Sequence, residues 1–306
     1  MIKTAKEGVV LADTKTIRNV AAKERREQII KFFGVLFSRK IVIIGTIGVA
    51  FFIYTAIFAP LIAPYDPNEV HFADFLQTPS SRYLLGTDQY GRDLLSRIIY
   101  GARVSLIVGV MAVSIACVIG TFFGMIAAYF GGWVDNLITR INEAIRAIPQ
   151  VIFAMALTAI FGSGMRNLAI ILGISTLPSY VRMMRAQVYS NREMDYIMAA
   201  RLQGNKSMRL MFLHILPNSI SPIIVMMTQN VGSTILAEAG LSFLGLGISL
   251  PMASWGSMVS EGQPYLMQNM VFALVPGLCV ALLVICLNIL GDGVRDALDP
   301  RLRGDL

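Results

Sequence analysis

Long uncharged stretches alternate with short polar, basic ones along this chain. The first 40 residues are polar, and Ile41–Ala63 then runs without a charge. Roughly 20 apolar residues cross a hydrocarbon core of about 30 Å, so this stretch predicts a first membrane span. Val104–Val134 contains a second, ending near Tyr129-Phe130-Gly131-Gly132-Trp133, a turn with interfacial aromatics. A third is expected from about Val134 to Phe161, with Arg140, Glu143 and Arg146 near its start. Asn167–Met183 gives a fourth, interrupted by Pro178, and Ser219–Ala239 a fifth. Gln268–Leu290 gives the sixth, with Pro276 inside. Such prolines are tolerated where neighbours or water satisfy the freed carbonyls. Gly240–Gly262 is apolar but rich in Gly, Ser and Pro, and reads as an external or re-entrant segment.

The expected architecture is all-α, a polytopic membrane protein with six transmembrane helices. Its parts are a tail (1–40), a first span (41–63), an outer segment (64–103), a core (104–292) and a second tail (293–306). Composition agrees. Charged residues make up 15% of the 306, where soluble chains carry about 25%. The net charge of +7 clusters beside apolar runs, as orientation signals do, which argues against nucleic-acid binding.

Orientation follows from Lys and Arg counts. The N-terminal tail holds ten. The 182–217 loop holds six: Arg182, Arg185, Arg192, Arg201, Lys206 and Arg209. The C-terminal tail holds three: Arg295, Arg301 and Arg303. With six spans these segments share one side, and the other side has five: Arg82, Arg92, Arg97, Arg103 and Arg166. Both termini and the 182–217 loop are therefore expected in the cytoplasm.

Several polar groups stand out. In the outer segment, Thr87 or Asp88 is suited to cap a helix. Leu94, Leu95, Ile98 and Ile99 fall at amphipathic spacing, predicting a helix lying on the outer membrane surface. It would anchor the next span or meet an external partner through Asp88, Arg92, Asp93 and Arg97. Gly120 and Gly124 form GxxxG, read as packing inside the bundle. Arg140, Glu143 and Arg146 are read as an ion-paired packing face near the cytoplasmic end. Glu238, near the outer end of the fifth span, is a candidate pathway or gate carboxylate, or a partner for backbone in the outer turn. In the tail, Arg295 and Asp296 are suited to pair with the chain's own loops or with a partner. Cys117, Cys279 and Cys286 lie in apolar runs as small apolar side chains, and His71 and His214 make no ligand set. No metal site is expected. Neither HExxH nor GxSxG occurs, which argues against an intramembrane enzyme. A stand-alone secondary carrier would show internal repeats, and none is evident.

The most informative segment is polar and basic: DYIMAARLQGNKSMRLMFLHILPN, Asp195–Asn218. Tyr196, Ala199, Ala200 and Gln203 fall on one helical face. Gly204 suits a helix end, and Pro217 the first turn of the next span. The Ala-Ala, Gly and Leu216-Pro217 spacing resembles the cytoplasmic coupling loop of bacterial ABC importer permeases. Met198 stands where the motif has Glu, and His214 where it has Ile. The form HILPN is similar to the dipeptide/oligopeptide/nickel branch. So are LGTDQYGRDLLSRIIYGARVSL, LSFLGLGISLPMASWGSM and LNILGDGVRDALDPRLRG, which extend the resemblance from about residue 41 onward.

The resemblance implies a type I ABC importer permease of the second-subunit kind. Such a subunit forms half of a translocation pathway for di- or oligopeptides, with nickel or metal chelates as the alternative cargo. It implies a non-catalytic subunit of a bacterial cell membrane. Its partners would be a second homologous permease, two ATPase subunits and an extracytoplasmic binding protein. No GxxxxGK[ST] occurs here, so ATP and Mg are expected on the ATPases, with no cofactor on this chain. Tyr196, Ala199, Ala200, Gln203, Gly204, Leu216 and Pro217 would form the ATPase-coupling site.

Overall fold

The computed structural model describes residues 29–299 together with Lys23, Arg26 and Glu27. Most of the basic N-terminal tail, and Arg301 and Arg303, fall outside the described residues. Residues 29–36 are helical. The main helices are α1 (Lys40–Ile57), α2 (Leu94–Phe130), α3 (Gly132–Arg146), α4 (Gln150–Phe161) and α5 (Met165–Asn191). Then come α6 (Asp195–Leu202), α7 (Leu216–Phe243), α8 (Trp255–Gly262) and α9 (Val271–Leu298).

Among the described residues, four stretches combine the length and apolarity needed to cross a membrane: α1, α2, Ser207–Phe243 and α9. The α3–α4 pair adds a fifth if counted as one broken span. α5 has 27 residues, about 40 Å of helix, but Arg166, Asn167, Arg182 and Arg185 lower its apolarity.

Direction is read from which residues meet. On α2, Ala112 and Ile115 lie against Gly173 of α5, Gly120 against Leu177 and Tyr180, and Gly124 against Val181 and Met184. The two helices therefore run parallel. α7 opposes both: Gly109 of α2 meets Val231 and Ile235, and Tyr180 of α5 bonds Asn230. α9 opposes α7 through Gly232 with Leu287 and Asn288, and α1 opposes α9 through Gly45 with Ile289 and Gly293 with Val42. Lys40, the 192–217 segment and Leu298 consequently share one end of the bundle. The 58–93 and 244–270 segments share the other.

The small residues at these crossings allow the close approach. A Cβ built on Gly124 would come within 2.5 Å of the Val181 carbonyl oxygen and 2.9 Å of Met184 Cβ. Lipid tails are as apolar as leucine, so spans hold together largely by such packing rather than by escape from water. Gly124→Leu is expected to force α2 and α5 apart at a cost of about 1–3 kcal/mol. A Tm lowered by several degrees in detergent, compared with Gly240→Ala at a helical glycine with open space around it, checks it.

Several boundaries differ from those read off the sequence. The expected third span is two helices meeting at 90°. Pro149 has no N–H and disfavours helical backbone at Ile148, so one helix cannot run through. The expected surface helix over 94–103 is the first turns of α2 itself. Asp93, not Thr87 or Asp88, caps it, accepting from the Ser96 N–H at 2.8 Å. The first span stops at Ile57, and a single turn, Ala59–Ile62, follows. α5 runs eight residues beyond Met183, to Asn191, and α9 continues to Leu298 inside the expected tail. There Asp296 pairs with Arg39 at 2.9 Å, tying the end of α9 to the start of α1.

Candidate functional site

The chain between α5 and α7 forms a compact foot. Arg192 continues in helical backbone after α5, and α6 begins three residues later. Ile197 and Ala200 point inward, and Ile197 joins Met211, Ile215, Met184 and Val188 in one cluster. Gly204 then turns with φ +79° in open space. Asn205 bridges back, its N–H and its Nδ2 (2.8 Å) both donating to the Ala200 carbonyl. These contacts terminate α6 without a following turn of helix, as a left-handed residue at C′ does elsewhere.

The face so presented differs from the one expected. Ala200 is turned into the protein because Ile197, three residues before it, anchors the buried side. Met198, Ala199 and Leu202 are exposed, and Leu202 is 89% exposed. Tyr196 and Gln203 are exposed on the flank. Arg201, Lys206 and Arg209, in and just after α6, are exposed as well.

The foot is fastened to both adjoining spans. Asn191 Nδ2 donates to Ser219 Oγ at 3.0 Å. Asn218 Nδ2 donates to the Tyr196 hydroxyl (3.2 Å) and to the His214 carbonyl (2.8 Å). Ser219 Oγ donates to the Ile215 carbonyl at 2.8 Å. Pro217 cannot supply an N–H to the preceding turn. That turn, Leu210–Ile215, is wound as a π-helix, and the Asn218 and Ser219 side chains serve its carbonyls. Leu216 is half-buried and Pro217 exposed. Sequence reasoning missed Ile197, Leu202, Asn205 and Asn218. The alternation of buried Ile197 with exposed Met198 and Leu202 was visible only as a generic amphipathic pattern.

At the opposite end the expected contact residues are internal. Asp88 is fully buried and Arg97 equally so, with Arg92 and Asp93 nearly buried. Arg92 Nε donates to Asp88 Oδ2 at 2.6 Å, and the N–H groups of Tyr90 and Arg92 donate to Oδ1. Arg97 Nε stands 3.4 Å from Asp88, an ion-pair contact and not a hydrogen bond. Its Nη1 donates to the Pro67 carbonyl at 3.1 Å. Glu261 closes the network on Arg92 (3.3 Å) and Gln89 (3.0 Å). A direct contact between these four residues and a binding protein is thereby overturned, since no side chain of the four reaches the surface. They lock the 58–93 segment to the 244–270 segment. Nearby, burial and a hydrogen bond to Asp74 push the Tyr83 hydroxyl above its ordinary range.

Glu238 is also enclosed. Ser105 donates to it at 3.0 Å and Ser242 at 2.8 Å. The structure therefore gives it a bracing role between α2 and α7 and no exposure to a pathway. Arg140 and Glu143 do pair, at 3.4 Å. Both are exposed, however, and no residue of α3 is buried, so the pair lies on an open side of the helix and not in a packed face as expected. Among the described residues, no group of three His, Cys, Asp or Glu is placed to hold a metal ion.

Residues 120–304 match the family described as binding-protein-dependent transport system inner membrane component. Residues 30–79 match the N-terminal transmembrane domain of oligopeptide transport permease C. A dipeptide transport system permease protein of Alkalihalophilus pseudofirmus is 44% identical over 271 residues, 89% of each chain. A di/tripeptide transport system permease protein of Pseudomonas aeruginosa is 42% identical, covering 85% of this chain and 88% of its own. A glutathione transport system permease protein of Pectobacterium atrosepticum is 40% identical, covering 81% and 83%. Among solved structures, the inward-facing methionine ABC transporter MetNI superposes with a TM-score of 0.56 at 16% identity. That match covers 67% of this chain and 98% of the other, and it concerns the fold alone.

The chain belongs to the family of binding-protein-dependent transport system inner membrane components. It is a multi-pass permease subunit of an ABC importer, a family whose members work with ATPase and substrate-binding partners.

Proposed function

We propose that this permease carries di- and oligopeptides and receives the work of ATP hydrolysis at α6. The observation that carries the coupling role is the exposed apolar face of α6, held to α7 by Tyr196–Asn218 and to α5 by buried Ile197 in one cluster with Met184 and Val188. A rigid foot of this kind moves its spans when a docked partner moves, which is what switching between two access states requires. Peptide cargo is supported by the relatives named for dipeptides and di/tripeptides.

The α3–α4 pair is read as one crossing. Asp135 of α3 meets Arg185 of α5, Asn142 meets Pro178, and Asn167 bonds the Phe161 carbonyl beside α4. The pair so descends α5 from end to end, and with α5 itself the chain crosses six times. The end carrying the foot is cytoplasmic on the Lys and Arg count, in a bacterial inner membrane. A second, related permease completes the pathway, and two ATPase subunits hold ATP and Mg.

Affinity purification of the tagged chain in mild detergent tests this. A second permease and ATPase subunits should copurify, and the reconstituted assembly should import dipeptides with ATP. A chain that purifies alone in several detergents would remove the reading.

A further inference from the structure

α1, α2, α7 and α9 together line a groove of about 560 Å³, within the range of about 300–1,000 Å³ that holds small ligands. Along α1 the lining runs from Ile57 to Val49, and along α2 from Arg103 to Met111, eight residues apart in each case, or about 12 Å of helix. Leu290 of α9 also lines it. Gly45 of α1 lies against Ile289, so Leu290 carries the groove about one turn deeper than Val49. The whole depth is close to that of one leaflet, half of a hydrocarbon core of about 30 Å. α1 shows which half. Its 18 residues span about 27 Å, starting beside the Arg39–Asp296 pair at the foot end and ending at Ile57. The groove therefore occupies the half away from the foot, with Ile57 and Arg103 at its mouth.

Arg103 stands at the level of the membrane boundary. Its neighbour Ala102 shares a buried cluster with Phe52 and Ala56, in the last turns of α1. Two residues on, Ser105 bonds Glu238 of α7, so Arg103 is level with the last turn of α7, which ends at Phe243. The side chain is exposed, and among the described residues its guanidinium has no hydrogen-bond or ion-pair partner. An arginine at this depth reaches for headgroups and water while its stem lies along apolar surface. The rest of the groove is aliphatic side chains and Met111, apart from Thr228. Thr228 Oγ1 already donates to the Val225 carbonyl at 2.8 Å. One open cation at the mouth above an apolar depth is the complement of an anionic head on a hydrocarbon tail. A peptide does not fit this chemistry, because its amides would find no partners below Arg103.

We propose that this groove is a binding site for an anionic phospholipid of the leaflet opposite the foot, with the phosphate on Arg103 and one acyl chain between α1 and α2. A guanidinium fork meets two phosphate oxygens in parallel, charge-assisted hydrogen bonds. The chain fills the space over Val231 and Leu287 and so braces α1, a helix from outside the 120–304 family core, against that core. Basic sites between spans select anionic headgroups on this principle. The site requires only a bundle embedded in a membrane. It stands whatever the cargo is and wherever the ATPases dock.

The test takes the full chain, with whatever copurifies, into detergent containing equal phosphatidylglycerol and phosphatidylcholine, and counts retained lipid by native mass spectrometry. The wild type should keep phosphatidylglycerol in preference, and Arg103→Gln should keep about tenfold less of it. Ile107→Trp, which fills the groove and leaves Arg103 in place, should lose it as well. Arg140→Gln, an exposed cation elsewhere, should behave as the wild type. Phosphatidylglycerol should raise the Tm of the wild type and not that of Arg103→Gln. A benzophenone on Met111→Cys, with Cys117, Cys279 and Cys286 replaced by alanine, reports the occupant in the membrane. A lipid adduct supports the site, whereas an adduct with a second permease would overturn it. Equal retention of the two lipids by the wild type, or of phosphatidylglycerol by the wild type and Arg103→Gln, would overturn it too. None of these readouts involves uptake or ATP hydrolysis, so failure here is separable from failure of the importer reading.

Discussion

Leu202→Glu is expected to stop import while leaving the protein assembled in the membrane. Leu202 is 89% exposed at the outer face of α6, and nothing inside the subunit depends on it. A large apolar side chain so exposed beside Met198 is the natural anchor for a groove in an ATPase. Placing a carboxylate there desolvates a charge at the centre of the contact. Central anchors of this sort are worth about 2 kcal/mol or more, and that loss weakens docking about thirtyfold. The measurement is copurification of the ATPases alongside ATP-driven uptake, with Leu202→Met as the conservative control. Retained ATPase and near-normal uptake in Leu202→Glu would dismiss α6 as the docking element.

Asp88→Ala carries the second large effect, and it acts on folding. Asp88 accepts from Arg92 Nε and two backbone N–H groups, and it is the nearest carboxylate to buried Arg97. Truncation leaves Arg97 buried without that counter-charge and Arg92 with Glu261 alone. Breaking a buried pair from one side typically costs about 3–5 kcal/mol, because the remaining charge stays desolvated. The expected result is a sharp fall in membrane-inserted protein and in Tm. Glu261→Gln, which removes one contact at the edge of the network, should cost far less. Wild-type levels and Tm for Asp88→Ala would show that the outer cap does not depend on this network.

Much of the helical plan was readable because each long apolar run maps to one buried or lipid-facing helix. α7 ends close to its expected bounds on both sides, whereas α1 stops at Ile57, short of Ala63, and α9 runs on to Leu298, past Leu290. The foot was readable from Gly204 and Pro217, whose backbone demands are local. What was not readable depended on neighbours. Asp88, Arg92, Asp93 and Arg97 look like surface charges in one dimension, since polar side chains are mostly exposed. Only the approach of Glu261, more than 160 residues away, together with the carbonyl of Pro67, makes them interior. Glu238 was misread for the same reason: Ser105 lies on a different helix. The break in the third span was signalled by Pro149, but the surrounding apolar residues masked it. The direction of Ala200 was lost because periodicity identifies a face without saying which side of it the protein occupies.

The loose attachment of α3 has a consequence for how such permeases diverge. α2, α5, α7 and α9 meet through glycines whose replacement disturbs the whole bundle, so their sequences are held by the need to fold. α3 has no buried residue; Asp135 and Asn142 hold it to α5, while Arg140 and Glu143 pair with each other at 3.4 Å. Substitutions at its exposed positions away from Asp135 and Asn142 carry little folding cost. A lineage built on this chassis can vary the exposed letters of that one helix, Arg140 and Glu143 among them, leaving the packed helices as they were.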